Sequence, residues 1–271
     1  CEDVRYRLNS LRNMKLFMIF FIYLIVTTVA LNAEAQQTLL LVGGGARPPV
    51  ALKEWLKVNT KQEPNVLIIT WASATKKAEY EKSLQDDLSG VGVKNFLYSR
   101  DITNTYEKNK FINDLSQATH IFCSGGSQVL IMDILNKDPQ ILDALQHTYW
   151  KKHIPVAGTS AGTAVQAELM MTGDTGDLVG GLGFLPKSVI DQHFFKRKRE
   201  DRLRAYMAAA PENFTGLGVD EDGSVLLKRD PQTKKFSGQV LGDKNIMIIE
   251  PVVDHQRVEK ILTPSQNFEL F

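Results

Sequence analysis

Val156-Ala157-Gly158-Thr159-Ser160-Ala161-Gly162-Thr163-Ala164 passes from a short apolar run directly into a helix-like segment. G-x-S-x-G with a strand before it and a helix after it reads as a nucleophile elbow. The two glycines permit a tight, strained turn, which presents the Ser160 hydroxyl at the strand end. The backbone N–H of Ala161, at the start of the helix, is then free to stabilise an oxyanion. A turn of this kind belongs where a strand of an α/β sheet hands over to its crossover helix, so it sets the fold to be looked for on either side.

The flanking sequence supplies such a sheet. Thr38–Val42 is a short apolar run ending in Gly43-Gly44-Gly45. Val66–Thr70, Asn95–Tyr98 and His120–Cys123 follow, the last ending in Ser124-Gly125-Gly126, and Pro155–Ala157 leads into the elbow. Between them, residues 49–58, 75–89, 107–117 and 127–147 carry helix-like patterns. Short apolar runs alternating with amphipathic stretches predict βαβ units and a parallel sheet. After residue 214 the pattern changes to closely spaced strand-like runs: Phe214–Val219, Ser224–Lys228, Phe236–Leu241 and Asn245–Glu250. The expected fold is therefore α/β, a mostly parallel sheet with helices on both faces and C-terminal β-hairpins. Ligands of open α/β sheets bind beyond the carboxyl ends of the strands, so the glycine turns at 43–45, 125–126 and 158–162 mark the expected site.

Composition excludes several other classes. The 271 residues carry 32 basic and 31 acidic side chains, which argues against an electrostatic nucleic-acid binder. With 43% hydrophobic and 23% charged residues the chain is neither disordered nor fibrous. Its two cysteines, Cys1 and Cys123, build neither a disulfide framework nor a four-thiolate zinc site. Met14-Lys15, an apolar run over Leu16–Leu31 and the small-x-small site Ala33-x-Ala35 are the parts of a secretory signal peptide over 14–35. The apolar run falls short of the roughly 17–25 residues of a membrane span. Residues 1–13, upstream of the first methionine, read as an over-extended leader. The expected mature chain is one α/β domain over 36–271, secreted or periplasmic and free of the membrane after cleavage. It loses four of the basic and three of the acidic residues, which leaves it without net charge and with Cys123 as its sole thiol.

A serine nucleophile needs a base. His120, His147 and His153 precede the elbow; His193 and His255 follow it. His193 lies in Val189-Ile190-Asp191-Gln192-His193-Phe194-Phe195, and Lys196, Arg197, Lys198, Arg199, Arg202 and Arg204 follow within nine positions. One reading of that cluster is a solvated helix face, partly balanced by Glu200 and Asp201. The other is an anion pocket, since guanidinium forks bind carboxylates bidentately. In a chain of balanced charge, this concentration points to a substrate with carboxylates near the scissile bond. The acid that orients the base stays open among Asp174, Asp177, Asp191, Asp220 and Glu221.

Gly158-Thr159-Ser160-Ala161-Gly162, Gly125-Gly126-Ser127-Gln128, Asp191-Gln192-His193-Phe194 with Arg197, Arg199 and Arg202, and Gly216-Leu217-Gly218-Val219-Asp220-Glu221 together resemble the cyanophycinases of peptidase family S51, relatives of aspartyl dipeptidase. The resemblance runs in order through nearly all of residues 36–271. It implies a flavodoxin-like or amidotransferase-like sandwich and a serine peptidase that cuts β-aspartyl-arginine linkages, in a polymer with an aspartate backbone or in a β-aspartyl peptide. Carried onto matching positions, Ser160 is the nucleophile, His193 the general base and Glu221 the orienting acid. Gln128, Asp191, Gln192, Arg197, Arg199 and Arg202 line the substrate pocket. The oxyanion is held by the N–H of Ala161 and by one from the Gly126-Ser127 turn. Two turns depart from the family: Ser127 stands where an acidic or amide residue is frequent, and Gly45-Ala46-Arg47-Pro48 replaces an acidic residue after the first glycine turn.

The rival readings differ in their residues. An α/β-hydrolase esterase would use His255 as base and Asp220 or Glu221 as acid. An aspartyl dipeptidase would cut α-linked aspartate, with Asp174 as its acid. A non-catalytic module would hold an acidic polymer on the arginines alone. No cofactor is expected, and no metal, because the histidines lack H-E-x-x-H spacing. Cys123, inside an apolar strand, reads as a structural thiol. A homodimer is compatible with the sequence.

Overall fold

The computed structural model describes residues 36–58, 62–173 and 177–271. The expected leader 1–13, the expected signal peptide 14–35 and Asp174 lie outside the described residues. Gln36–Phe271 forms one compact unit. Its first part runs β1 (Thr38–Val42), α1 (Pro49–Leu56), β2 (Asn65–Ile69), α2 (Lys77–Gly90), β3 (Asn95–Ser99), α3 (Thr105–Gln117), β4 (His120–Cys123), α4 (Gln128–Lys137), α5 (Pro139–Trp150), β5 (Val156–Thr159) and α6 (Ala161–Ala164). Then come β6 (Ala167–Met171), β7 (Leu178–Gly180), β8 (Leu185–Gln192), α7 (Glu200–Ala209), β9 (Thr215–Val219), β10 (Gly223–Arg229), β11 (Phe236–Gly242), β12 (Ile246–Ile249), β13 (Glu259–Leu262) and β14 (Asn267–Leu270).

The chain is α/β, with β1, β5, β4, β2 and β3 forming a parallel block. Their near-continuous apolar sequences follow from burial on both faces. Successive side chains point to opposite faces, which splits the strands into two sets. Leu40, Val42, Val66, Ile68, Phe122 and Ala157 pack with Leu52 and Trp55 of α1 and Leu84 and Leu88 of α2. Leu39, Leu41, Leu67, Ile69, Ile121 and Val156 share the other core with Phe111, Leu135 and Leu145 of α3–α5 and with Ile190, Leu217 and Ile248. The expected helix over 127–147 is two helices. Asp138 accepts a capping bond from the Gln140 N–H and Pro139 opens α5; proline fits the first position of a helix, whereas inside one continuous helix it would break the hydrogen-bond ladder.

The C-terminal strands do more than add hairpins. β10, β11 and β14 extend the parallel block on the β1 side into an eight-stranded sheet. The other strands form a second, six-stranded sheet in the order β13-β12-β9-β8-β6-β7. Phe214–Val219 and Ser224–Lys228, adjacent in sequence, thus belong to different sheets: β9 pairs with β8 and β12, and β10 with β1 and β11. The turn between them, residues 220–222, crosses from one sheet to the other. β8 and β9 run parallel with Gln192 opposite Val219, so His193 and Asp220-Glu221 emerge side by side at their carboxyl ends.

Candidate active site

The elbow is as tight as its glycines allow. A Cβ on Gly158 would overlap the Gly162 carbonyl, and one on Gly162 would overlap the Cys123 carbonyl. Ser160 sits at φ 52°, ψ −112°, a conformation that costs a side-chain-bearing residue on the order of 1–3 kcal/mol. The surroundings hold it there. Ser160 N–H donates to Val42 O at 3.0 Å. Thr163 Oγ1 accepts from the Val42 N–H at 3.0 Å and lies 2.7 Å from the carbonyl oxygens of Val42 and Gly158, one of which takes its proton.

His193 comes to this serine from the other sheet. Its Nε2 lies 2.8 Å from Ser160 Oγ and its Nδ1 2.6 Å from Glu221 Oε1. A carboxylate only accepts, so Nδ1 carries the proton and donates it; Nε2 therefore accepts from the serine hydroxyl. The His193 backbone, at φ 51°, is fixed by its N–H donating to Gly43 O at 2.7 Å. Burial holds the imidazole pKa below its ordinary value. The charges of Arg197 and Arg199 push the same way, and the Glu221 hydrogen bond opposes them. A neutral imidazole in this arrangement can take the serine proton, and Glu221 can stabilise the imidazolium that results.

The other expected acids stand elsewhere. Asp220 turns Oδ1 onto the Lys196 N–H at 2.8 Å, and Asp177 is exposed, its carbonyl accepting from Thr172. His255 is exposed next to the Val253–Gln256 bridge and does not line the cavity at Ser160, so the esterase arrangement lacks its base there. Cys123 is buried, and burial pushes its thiol up to about 12, the behaviour of a packed thiol rather than a nucleophile. Among the described residues no three His, Cys, Asp or Glu side chains gather as a metal site.

Ser160 and His193 open on a cavity of about 490 Å³. The N–H groups of Ala161 and Gly126 donate no hydrogen bond among the described residues, and a Cβ on Gly125 would lie 3.4 Å from Ser160 Cβ. Gly126 lines the cavity, and Ala161 directly follows Ser160. The Ser127 N–H, expected to share in holding the oxyanion, donates instead to Ala72 O at 2.8 Å. Gln128 lines the cavity, its Nε2 donating to Met171 O at 2.8 Å.

The arginine cluster divides by depth. Arg197, half exposed, Arg199 and Arg202 line the cavity. Asp191, expected in the pocket wall, is fully buried beneath it and accepts from Arg202 through both oxygens. It is a support and not a lining residue, because an unpaired carboxylate at that depth would be costly and the guanidinium satisfies it. Gln192 reaches the wall while its Oε1 accepts from Arg199 at 2.5 Å. Sequence reading gives no role to Arg47, Tyr80, Ser83, Leu84, Thr172 or Gly173, which also line the cavity. The described lining holds four arginines and no carboxylate.

The model of peptidase family S51 matches residues 39–235. The chain is 34% identical over 154 residues to a cyanophycinase of Synechococcus elongatus, covering 54% of this chain and 46% of that protein. It is 32% identical over 146 residues to a cyanophycinase of Trichormus variabilis, covering 51% and 47%. The chain thus spans about half the length of the curated relatives it matches. Its fold is shared with a peptidase from an acI-B1 Actinobacterium at a TM-score of 0.67 and 18% identity, over 87% of this chain and 98% of that one.

Proposed function

The chain belongs to peptidase family S51, and from that premise we propose that it is an exported serine-type peptidase of cyanophycinase type, cleaving β-aspartyl amide linkages such as β-aspartyl-arginine. The observation that carries this reading is the continuous hydrogen-bonded chain Glu221–His193–Ser160, open to a cavity whose described lining has four arginines and no carboxylate. Ser160 Oγ attacks the side-chain amide carbon as His193 Nε2 takes its proton. The N–H groups of Ala161 and Gly126 face the developing oxyanion. His193 then gives the proton to the departing nitrogen, and water, activated by the same imidazole, releases the acyl group. Arg197, Arg199 and Arg202 hold the carboxylate that an aspartyl residue keeps when it is linked through its side chain. The names of the cyanophycinase relatives support this substrate class. The apolar run Leu16–Leu31 followed by Ala33-x-Ala35 supports export.

The test incubates residues 36–271 with cyanophycin, β-Asp-Arg and α-Asp dipeptides, beside the Ser160→Ala variant. Hydrolysis of β-linked substrates by the wild type alone is the expected result. Activity on α-linked aspartate alone replaces the substrate and keeps the nucleophile, and no hydrolysis of any of them removes the enzyme reading. N-terminal sequencing of the exported protein checks cleavage after Ala35.

A further inference from the structure

We propose that the cavity between the end of α5 and the β10–β11 hairpin is a second binding site, separate from the catalytic one, for a small oxyanion with more than one anionic group, such as a tricarboxylate or an oligophosphate.

This cavity, of about 720 Å³, lies at the opposite end of the parallel block from Ser160. Gln37 and His153 border it just before β1 and β5, and Arg229 ends β10, which runs antiparallel to β1. Ser160 follows the other end of β5, so the length of the strand separates the two cavities. Lys151, Arg229 and Lys234 line the cavity, and none of them pairs with a carboxylate among the described residues. Asp143 is the one carboxylate of the described lining. A chain with 32 basic and 31 acidic side chains thus gathers a second local excess of positive charge, in a concave site where the field is focused.

Arg229 is fixed before any ligand arrives. Its backbone N–H donates to Gln37 O at 2.9 Å and its Nε to Lys234 O at 3.1 Å. The guanidinium carbon lies 5.3 Å from the centre of the Trp150 ring, a cation–π contact that holds the fork over the indole. Trp150 is tied in turn by its carbonyl, which accepts from Gln37 Nε2 at 3.2 Å. Neither Nη of Arg229 donates a hydrogen bond among the described residues, so both are available to an oxyanion at little cost in rotamer freedom. His153 adds a neutral donor. Its Nδ1 is buried without a partner, which places the ring proton on Nε2. The three cations stand on separate elements: Lys151 just past α5, Arg229 at the end of β10 and Lys234 in the hairpin turn. One carboxylate or phosphate group satisfies the Arg229 fork, and further anionic groups on the same molecule are needed to reach the lysines.

Of the three tryptophans only Trp150 lines either this cavity or the catalytic one, so its fluorescence reports this site. The experiment titrates the purified protein with citrate and, separately, with inorganic triphosphate at about 0.15 M salt, where loose surface attraction is screened. The expected result is a saturable change in emission with at least one probe, and the probe that binds tells carboxylate from phosphate chemistry. Arg229→Gln should weaken binding by about 10-fold or more. Lys151→Gln, at an exposed position that does not bear on folding, should weaken it as well. Ser160→Ala should bind like the wild type, and Arg229→Gln should keep wild-type turnover. No saturation by either probe below about 1 mM, or equal affinity in wild type, Arg229→Gln and Lys151→Gln, overturns the proposal. Calorimetric binding without a change in Trp150 emission does so too, because it places the anion on the arginines of the catalytic cavity.

Discussion

Gly44 and His193 are in van der Waals contact so close that a Cβ on Gly44 would lie 2.6 Å from both ring nitrogens. The imidazole has no room to retreat, since its backbone N–H is tied to Gly43 O and its Nδ1 to Glu221. Gly44→Ala should therefore displace the ring from Ser160 and lower kcat by about 10²-fold, the cost of misplacing a catalytic group by roughly 1 Å. The φ of +116° at Gly44 adds strain of order 1 kcal/mol to the same variant. Kinetics and thermal denaturation on one preparation check this, and a variant with wild-type kcat would refute it.

The strained backbone of Ser160 makes a second expectation. Ser160→Ala and Ser160→Gly should both lose on the order of 10⁴ in kcat. They should differ in stability, because only glycine adopts φ 52°, ψ −112° without steric cost. Relief of about 1–3 kcal/mol, less about 0.4–1 kcal/mol for the freer unfolded chain, leaves Ser160→Gly more stable than Ser160→Ala by about 1 kcal/mol. Urea denaturation of the pair measures it.

The acid limb of kcat/KM reports His193. Its pKa is depressed, so the imidazole stays neutral, and able to act as a base, to below its ordinary value of 6.5. The limb should fall below that pH. Removing a positive neighbour makes protonation easier, so Arg197→Ala should move the midpoint up. Glu221→Gln removes the interaction that favours imidazolium and should move it down while kcat drops. Midpoints that shift together in the two variants would contradict the arrangement.

Asp191 is buried beneath the cavity with Arg202 on both oxygens and Arg199 3.5 Å away. Asp191→Ala removes the buried carboxylate that both guanidiniums face and should cost about 3–5 kcal/mol of stability. It should also raise KM more than it lowers kcat, because Arg199 and Arg202 line the wall while Asp191 does not. Urea midpoints and steady-state kinetics separate the two effects.

Strands buried on both faces were the most legible part of the sequence. Thr38–Val42 and His120–Cys123 have the bounds their apolar runs suggest, because nothing but packing decides them. Leu185–Gln192 is a full strand of the second sheet, yet Pro186 and Lys187 interrupt its pattern, and half of its partnership comes from a strand more than twenty residues on. Strands β9 and β10 look like a hairpin, since two runs with a short turn carry no local mark of belonging to different sheets. The serine, the histidine and the arginines announce themselves by residue type in a recognisable order. Arg47 does not, because its grip on Asp87 spans forty residues and becomes visible only when α2 lies beside the first glycine turn. Asp191 sits in the motif like a wall residue; its depth is a property of the sheet beneath.

Ser160 follows a strand of one sheet, while His193 and Glu221 follow strands of the other. The hydroxyl and the imidazole therefore meet only once the two sheets have closed on their shared core of Leu39, Leu41, Ile190 and Leu217. A half-folded chain carries an ordinary alcohol and an ordinary histidine. The reactive pair exists only while the two sheets are docked, and loosening either sheet disarms it. The chain thus carries its own safeguard against reacting before it has folded.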